Sequence, residues 1–339
     1  MKPVMRRPCV VLSVLDRYKS MFFTAEAMER LDELADLQID PDPQTHASVQ
    51  SRHMLKDAEV VITAWETGEL TDLLDHMPRL QMVIHSGGSV KDVIGMQAYE
   101  RGVRISSQTQ LNAEPVAEYS LAMIILAAKG IFASRRRYLE NRAKEETFWG
   151  NFPDVGLYGA RIGIIGLSRI SRRVIDRLNA FHVDIKVSSH HLNEAQAREL
   201  GVTAASIENI MRTCDVISLH TASTPQTYHM LGAEDFAKMK DGATFINTAR
   251  GAICDQDALI AELQRDRINA IIDVTDPEVN VPDSPLWNLP NVVLTPHAAG
   301  SMGKELHRLG DGAVDDLAHY IAGSKVSGEI LVDQYAGRA

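Results

Sequence analysis

Arg250, Glu278 and His297 are the residues whose types and positions point most directly to chemistry. Each follows a short apolar run that predicts a buried strand, and these runs are Thr244–Ile246, Ala270–Val274 and Val292–Leu294. The carboxyl ends of parallel strands meet at one edge of an open α/β sheet, and ligands bind at that edge. We therefore expect a guanidinium, a carboxylate and an imidazole to converge there.

Such a set of side chains suits hydride delivery to a keto carbon. A planar guanidinium binds a carboxylate through two hydrogen bonds, and an imidazolium donates a proton to the oxygen on which negative charge develops. A neighbouring carboxylate favours the imidazolium. Taken singly, Arg250 has a good interpretation as a surface residue capping the next helix, and His297 is one of twelve histidines. The convergence of both with Glu278 favours catalysis.

The segment Gly163–Ser171 has the composition of a dinucleotide-binding turn between a strand and a helix. The usual pattern G-x-G-x-x-G is replaced by G-L-S-R-I-S, with Gly166 first and Ser168 and Ser171 at the other two small positions. The helix N-terminus would offer N–H groups to phosphates, and Arg169 adds a positive charge. A glycine kept for turn geometry alone is the alternative, but the position at the head of an alternating strand–helix region favours a cofactor site.

The next strand bears on the choice of cofactor. An enzyme that uses NAD usually carries an acidic residue at the end of this strand, where it binds the ribose hydroxyls. The segment Lys186–His191 reads K-V-S-S-H-H and contains no carboxylate. This absence favours NADP, with Ser189 and His190 as candidate ligands of the extra phosphate. A permissive site that accepts NAD or NADP is the alternative.

A second candidate anion site is the loop Ser86–Val90, which follows the predicted strand Met82–Ile84. Successive backbone N–H groups can hold an anion, and glycine lets the backbone approach it closely. Gly87, Gly88 and Ser89 would supply those groups. A tight turn without a ligand is an equally good interpretation of the loop by itself.

The elements that must position these residues alternate along the chain. From Arg161 onward, apolar runs of strand length alternate with amphipathic helical stretches, which is typical of βαβ units around a parallel sheet. The first hundred residues repeat this rhythm, with helices predicted near Thr24–Asp36 and Asp72–Met77. A long helix from Glu114 to about Ile131 separates the two regions, and a last one, Leu306–Gly323, returns to the first. The sequence predicts two doubly wound α/β domains.

Composition excludes several classes of function. The 339 residues carry a formal net charge of −10, which argues against general binding to nucleic acid or an anionic membrane. Three dispersed cysteines predict neither a disulfide framework nor a metal site. The basic start of the chain lacks a cleavage site after its apolar run, and the apolar helix Tyr119–Ala128 is too short to span a bilayer. We expect a soluble, cytoplasmic protein.

Several blocks together resemble one family. The sequence is similar, essentially end to end, to the D-isomer-specific 2-hydroxyacid dehydrogenases. The blocks that carry the resemblance are Val116–Glu118, Gly163–Ser171, Asp215–His220, Thr224–Thr227, Ile246–Gly251, Asp273–Glu278 and Leu294–His297. The resemblance implies a Rossmann-like cofactor domain, residues 107–299, inserted into a flavodoxin-like substrate domain, residues 1–106 plus 300–339.

The resemblance also implies roles for individual residues. Arg250 would bind the substrate carboxylate and polarise the keto oxygen, His297 would be the acid/base, and Glu278 would orient it. Gly87, Gly88 and Ser89 would also bind the carboxylate, and Asp273 would accept a hydrogen bond from the nicotinamide amide. The full set of cofactor-binding residues implied is Gly166, Ser168, Arg169, Ile170, Ser189, His190, His220, Thr221, Thr227, Thr248, Ala249, Asp273 and Ala299.

Departures from the family pattern bear on the cofactor and the substrate. Ala222 and Val279 stand where the family usually has proline, which leaves the cofactor preference open. Glu278 argues against formate, because the formate-oxidising branch lacks it, and 339 residues leave no room for a regulatory domain. Glyoxylate and hydroxypyruvate suit a small pocket. A phosphorylated substrate would need a further basic residue, for which Arg52 and Lys56 are candidates.

Two further expectations concern function and assembly. A dinucleotide-sensing module without turnover is the alternative function, and an intact catalytic trio favours the enzyme. The family's usual homodimer forms through the cofactor domain, and the long helix after Asn112, with its polar extension to Trp149, would serve that contact. Trp65 follows the predicted strand Val60–Ile62 and has two interpretations, as pocket wall or as packing residue.

Overall fold

The computed structural model describes residues 7–142 and 155–335. The chain divides into two compact units, Met1–Ala113 with Ser301–Ala339 and Glu114–Gly300. Each unit is built around a sheet whose strands are parallel, apart from one short edge strand in the first unit. The predicted fold class, two parallel-sheet α/β units, is confirmed. Trp149, and with it the end of the predicted polar extension, lies outside the described residues.

The first unit contains a six-stranded sheet in the order β13-β5-β4-β3-β1-β2. Its strands are β1 Cys9–Ser13, β2 Asp36–Ile39, β3 Val60–Thr63, β4 Met82–His85, β5 Arg104–Ser107 and β13 Glu329–Ile330. Its helices are α1 Asp16–Phe22, α2 Ala25–Leu34, α3 Val49–Asp57, α4 Gln97–Glu100 and α12 Glu305–Ile321. The last of these packs on α1 and α2, as the sequence predicted for Leu306–Gly323.

Successive side chains of a strand point to opposite faces of this sheet, so each strand contributes to the apolar core on both faces. Val10 and Leu12 point to a core shared with α1, α2 and α12, whereas Val11 points to the opposite core beside α3. Burial on both faces accounts for the nearly continuous apolar runs. At the carboxyl edge the apolar pattern stops, and Thr63 and His85, partners in the register of β3 and β4, are joined by a hydrogen bond of 3.0 Å.

The second unit contains a seven-stranded parallel sheet in the order β12-β11-β10-β9-β6-β7-β8. Its strands are β6 Arg161–Ile165, β7 Asp184–Ser188, β8 Thr203–Ala204, β9 Val216–Leu219, β10 Thr244–Asn247, β11 Asn269–Ile272 and β12 Val292–Leu294. The chain reverses its direction of winding between β6 and β9, which are paired neighbours. This switch point opens a crevice at the carboxyl edge, where ligands of such sheets bind.

Helices cover both faces of the second sheet. They are α6 Ile131–Asn141, α7 Arg169–Leu178, α8 Glu194–Leu200, α9 Ile207–Thr213, α10 Ala233–Ala237 and α11 Gln256–Gln264, while α5 Thr109–Ala128 crosses the boundary between the units. In the described part of the chain, no single helix is long and apolar enough to cross a membrane. Helices α5 and α6 pass that test only when taken together across a 53° bend.

Two element predictions were wrong in detail. The long helix predicted to run to about Ile131 ends at Ala128, because Gly130 adopts a left-handed conformation, φ 62°, and a new helix begins after it. The stretch predicted as a helix near Asp72–Met77 is a 3₁₀ helix, Thr71–His76. Neither β2 nor α3 was predicted from the sequence, because both lack a strong apolar pattern.

Candidate active site

Three neighbouring strands position Arg250, Glu278 and His297. These residues follow β10, β11 and β12, which lie side by side at one end of the second sheet. All three strands are parallel, so their carboxyl ends lie at the same edge. The structure thus brings the three residues to neighbouring strand ends, as the strand spacing predicted.

Glu278 and His297 are in direct contact. Nδ1 of the imidazole is hydrogen-bonded to Oε1 of the carboxylate. Their side chains are 46% exposed for His297 and 56% exposed for Glu278, so both groups are accessible from solvent. Within the described ranges, Nε2 of His297 makes no hydrogen bond. The carboxylate therefore holds one ring nitrogen and leaves the other available for a ligand.

The backbone of His297 is unusual. It has φ 54°, a left-handed conformation that residues with a side chain rarely adopt. Its N–H donates to the carbonyl oxygen of Asp273 at 2.8 Å. The next two N–H groups, those of Ala298 and Ala299, donate to the Asp273 carboxylate at 2.7 and 3.0 Å. Asp273 thus binds three consecutive residues of this loop, a contact that the sequence analysis missed.

Arg250 occupies an exposed position after β10. Its Nη1 donates to the carbonyl oxygen of Ala249 at 2.7 Å, and its own carbonyl accepts from Nδ2 of Asn247 at 3.0 Å. Oδ1 of Asn247 accepts from the N–H of Ala249, so this asparagine fixes the turn that carries the arginine. Among the described residues, Arg250 has no hydrogen bond or ion pair with either Glu278 or His297.

The turn between β6 and α7 lies at the switch point of the sheet. Gly166 has φ 97°, and a Cβ on it would lie 2.6 Å from the backbone nitrogen of Thr221. Any other residue would therefore suffer both backbone strain and a clash with backbone. Glycine is required here for the close passage of the two turns after β6 and β9, as expected for a dinucleotide-binding turn.

Ser168 and Ser171 do more than replace glycines by small residues. The N–H of Ser171 donates to Oγ of Ser168 at 3.2 Å, and the N–H of Ser168 donates to Oγ of Ser171 at 2.7 Å. This reciprocal pair is a capping box, which sequence reasoning could have found from the spacing S-x-x-S. It begins α7 at Arg169, whose first turn, including Ile170, presents N–H groups and a positive dipole to an anion.

The carboxyl end of β7, where cofactor discrimination was expected from sequence, is polar and accessible. Ser189 follows β7, and its Oγ accepts a hydrogen bond from the N–H of His191 at 3.2 Å, which closes a small turn. His190 lies in that turn and is exposed. No Asp or Glu stands between Lys186 and Asn193. The structure thus places Ser189 and His190 where the sequence analysis expected them, at the carboxyl end of β7.

The other predicted cofactor residues lie at the same edge. His220 follows β9 and is buried, its Nε2 hydrogen-bonded to Oγ of Ser218 at 2.9 Å, and burial lowers its pKa to about 4. Thr221 donates to the carbonyl oxygen of Ile165 at 3.2 Å. Thr227 caps the loop after β9, where its Oγ1 accepts from the N–H of Thr224 at 2.8 Å. Thr248, next to Ala249, is bonded to Ser120 of α5 at 3.2 Å.

In the first unit, the loop Gly87–Ser89 follows β4. The carbonyl oxygens of Gly87 and Gly88 accept from the N–H of Gln108 at 2.9 Å and from Oγ1 of Thr109 at 3.0 Å. In a trans peptide the N–H points opposite to the carbonyl. The N–H groups of Gly88 and Ser89 therefore point away from these partners, and neither has a hydrogen-bond acceptor within the described ranges. This arrangement fits an anion-binding loop.

Gly87 is also sterically required. A Cβ at this position would lie 2.4 Å from Nε2 of His85, whereas one on Gly88 would meet only Nδ2 of Asn112 at 3.6 Å. His85 is buried beneath the loop, and burial lowers its pKa to about 4, so the ring is neutral near pH 7. Among the described residues, no group of His, Cys, Asp or Glu is placed to hold a metal ion.

Comparison with known proteins agrees with this geometry. The sequence profile described as D-isomer specific 2-hydroxyacid dehydrogenase, NAD binding domain, matches residues 121–299, which is more than half of the chain. The chain belongs to the D-isomer specific 2-hydroxyacid dehydrogenase family. It is thus an oxidoreductase that transfers a hydride between a nicotinamide dinucleotide and a 2-keto or 2-hydroxy acid. The alternative of a sensing module without turnover finds no support in this assignment.

Individual relatives lie at moderate similarity. A glyoxylate reductase of Korarchaeum cryptofilum is 28% identical over 310 residues, which cover 89% of this chain and 93% of that protein. A D-3-phosphoglycerate dehydrogenase of Mycobacterium bovis is 29% identical over 279 residues, and the chain spans only 52% of its length. The crystal structure of a phosphoglycerate oxidoreductase from Rhizobium etli superposes with a TM-score of 0.77 and is 25% identical in sequence. The match covers 95% of this chain and 97% of that protein.

Proposed function

We propose that this dehydrogenase reduces a small 2-keto acid to the D-2-hydroxy acid, with His297 as proton donor. The observation that carries this proposal is the hydrogen bond between His297 and Glu278 at the carboxyl edge of the sheet whose β6–α7 turn fits a dinucleotide. The second unit, Glu114–Gly300, is then the cofactor domain, and the first unit is the substrate domain.

The dinucleotide supplies the hydride when it is bound. As the hydride reaches the keto carbon, negative charge develops on the keto oxygen, and Nε2 of His297 donates the proton that neutralises it. Glu278 holds Nδ1, which fixes the orientation of the ring and stabilises its positive charge. In the oxidative direction the same nitrogen accepts the proton. General acid catalysis of this kind contributes about 10²–10⁴-fold.

Arg250 binds the substrate carboxylate in this proposal. Its guanidinium is exposed and, within the described residues, is not neutralised by an acidic side chain, so it is available for an anionic ligand. A planar fork orients a carboxylate more strictly than a single ammonium would. The N–H groups of Gly88 and Ser89 supply a second anion-binding element, and the close fit of Gly87 over His85 fixes the path of that loop.

Residues at the switch point fit a nicotinamide dinucleotide. The turn at Gly166 leaves no space for a side chain, and the N-terminus of α7, with Arg169 in its first turn, suits the pyrophosphate. We assign NADP as the favoured cofactor, because the end of β7 offers Ser189 and His190 without a carboxylate to repel the extra phosphate. The remaining predicted contacts are Ile170, His220, Thr221, Thr227, Thr248, Ala249, Asp273 and Ala299.

Asp273 has limited capacity for the nicotinamide amide. Its carboxylate already accepts three hydrogen bonds, from Oγ1 of Thr295 and from the N–H groups of Ala298 and Ala299. A carboxylate has about four acceptor positions. One position thus remains for the cofactor, and it lies on Oδ2, which holds a single donor.

Glyoxylate and hydroxypyruvate are the substrates we propose. A relative from Korarchaeum cryptofilum, whose match covers 89% of this chain, is named a glyoxylate reductase. Arg52 and Lys56, the basic residues considered for a phosphorylated substrate, are exposed on α3 and follow no strand end. Trp65 packs edge-on against Phe22 and Tyr18, with ring centroids at 5.0 and 5.9 Å, so packing explains much of its position.

We further propose a cytoplasmic homodimer that forms through the cofactor domain. Helices α5 and α6 expose large apolar side chains, with Leu126 37%, Ile131 43% and Leu139 54% accessible. Large apolar side chains exposed to solvent support an interface on these two helices. Cys9, Cys214 and Cys254 are free thiols, which suits a reducing compartment. Sedimentation of the purified protein as a monomer would contradict the dimer.

The experiment that tests the proposed function is a spectrophotometric screen. Glyoxylate, hydroxypyruvate, pyruvate, phenylpyruvate and 3-phosphohydroxypyruvate are each offered with NADH and with NADPH. We expect NADPH oxidation with glyoxylate or hydroxypyruvate, abolished in His297→Gln and retained in His53→Gln, a change on the exposed side of α3. Turnover that persists in His297→Gln would contradict the mechanism, and a preference for NADH would contradict the assignment of NADP.

A further inference from the structure

A line of hydrogen bonds connects helix α5 to the loop that carries His297. The hydroxyl of Tyr119 is 2.9 Å from Oγ1 of Thr295, and Oγ1 of Thr295 is 2.6 Å from Oδ1 of Asp273. Asp273 then binds the N–H groups that follow His297. Tyr119 and Thr295 are 176 positions apart in the chain, and Thr295 and Asp273 are 22 positions apart. The hydrogen bonds thus join distant parts of the second unit in one network.

The donors in this line have defined directions. A carboxylate only accepts, so the single proton of the Thr295 hydroxyl is directed to Asp273. Tyr119 must therefore donate its own proton to Thr295. Burial raises the pKa of the Tyr119 phenol, which keeps that proton in place. Hydrogen bonds in such a chain polarise one another and strengthen each other.

The loop needs this support. His297 adopts its left-handed conformation only because the surrounding contacts hold it there, since the free backbone would leave that region. The contacts come from Asp273, through its carbonyl oxygen to His297 and through its carboxylate to Ala298 and Ala299. Anything that orients the Asp273 carboxylate therefore orients the imidazole with respect to Glu278.

We propose that Tyr119, acting through Thr295 and Asp273, is a positioning residue for His297. The Tyr119 hydroxyl orients the hydroxyl of Thr295, which in turn orients the Asp273 carboxylate through a hydrogen bond. The carboxylate then holds the backbone of the loop that carries the imidazole. The assignment rests on the proposed role of His297 as proton donor. A displacement of about 1 Å in a catalytic group can cost about 10²-fold in rate, so loss of one link has a measurable effect on turnover.

Two substitutions of Thr295 form the central test. Thr295→Val keeps the branched shape but removes the donor to Asp273, and Thr295→Ser keeps the hydroxyl. We expect Thr295→Val to lower kcat about 10- to 10²-fold, with a smaller change in KM for the keto acid, and Thr295→Ser to restore most of the loss.

A double-mutant cycle tests whether Tyr119 acts through Thr295. Tyr119→Phe removes only the phenolic hydroxyl, and we expect a decrease in kcat of about 3- to 10-fold. In the Thr295→Val background the same change should have no further effect, because the path is already broken. Tyr99→Phe is the matched control, since Tyr99 is a partly buried tyrosine of the first unit whose hydroxyl donates to the carbonyl of Ile330 at 2.8 Å.

A measurement without turnover separates this inference from the proposed function. Hydrogen exchange of the Ala298 and Ala299 backbone N–H groups, which donate to the Asp273 carboxylate, is followed by NMR in the wild type and in Thr295→Val. We expect both N–H groups to exchange at least about 3-fold faster in the variant, because the carboxylate that binds them is no longer oriented. Unchanged exchange, additive effects in the cycle, or equal losses in Tyr119→Phe and Tyr99→Phe would overturn the positioning role. Faster exchange in a protein that turns over no keto acid would overturn only the proposed function.

Discussion

Nδ1 of His297 is hydrogen-bonded to Oε1 of Glu278, although the two residues follow different strands and are 19 positions apart in the chain. The bond exists because β11 and β12 are parallel neighbours, so the loops that follow them leave the sheet side by side. It orients the imidazole through one nitrogen and frees the other.

His297→Gln removes the proton donor and keeps a polar side chain of similar length. We expect kcat for keto acid reduction to fall about 10²- to 10⁴-fold, while the dissociation constant of the dinucleotide, measured by fluorescence titration, changes less than about 3-fold. His53→Gln should match the wild type in both measurements. Retention of most of the activity in His297→Gln would show that another group donates the proton.

Glu278→Gln keeps a hydrogen-bonding partner for Nδ1 and removes the negative charge. Because the imidazolium then lacks its counter-charge, we expect kcat for keto acid reduction at pH 7 to fall about 10- to 10³-fold. The measurement is steady-state kcat for the keto acid, and an unchanged kcat would contradict the role of Glu278.

Gly166→Ala tests the dinucleotide turn. The new Cβ would lie 2.6 Å from the Thr221 backbone nitrogen in addition to requiring φ 97°, so we expect cofactor affinity to fall at least about 10-fold. Gly242→Ala is the control, since Gly242 lies in the same unit with φ 80° and has nothing within 4 Å of a Cβ. Gly242→Ala should lose about 1 kcal/mol of stability from the left-handed backbone conformation alone. We expect this variant to bind the cofactor with wild-type affinity. Equal behaviour of the two variants would exclude a special role for Gly166.

Gly87→Ala and Gly88→Ala form a second matched pair. The first places a Cβ 2.4 Å from the ring of the buried His85, and the second makes an ordinary contact at 3.6 Å. We expect Gly87→Ala to destabilise the protein by about 1–3 kcal/mol and to raise KM for the keto acid, whereas Gly88→Ala should leave the unfolding midpoint in denaturant unchanged. A destabilised Gly88→Ala together with a stable Gly87→Ala would contradict the packing of His85 under the loop.

His85 and His220 make stability depend on pH. Burial lowers the pKa of each ring from 6.5 to about 4. The unfolded chain therefore binds their protons more readily, and the stability they contribute is present above about pH 6.5 and is lost as pH falls toward 4. Each contributes at most about 3 kcal/mol to that loss.

Denaturant unfolding at pH 7, 5.5 and 4.5 measures the free energy of unfolding across this window. We expect the decline toward low pH to be less steep in His85→Gln and in His220→Gln than in the wild type. The exposed His53→Gln should decline as the wild type does. If both buried variants also followed the wild-type curve, the two rings would not be responsible for the pH dependence.

The sequence by itself determined most of the strands and their alternation with helices. The strand Val292–Leu294 was predicted to the residue and Thr244–Asn247 to within one residue, because the strands of a parallel sheet are apolar runs that end where the polar edge begins. The same rule located Arg250, Glu278 and His297 at strand ends. Their chemistry follows from residue type, and their proximity follows from the common direction of parallel strands.

Only the tertiary structure decided how these residues are held. The left-handed backbone of His297 and the three donors on Asp273 each depend on contacts between residues 22 or more positions apart in the chain. A local sequence pattern indicates which residues are buried and where the chain turns. It does not indicate which atoms from distant parts of the chain will contact them. Ser168 and Ser171 are an intermediate case. Their spacing is evident in the sequence, but the capping box that they form was recognised only in the structure.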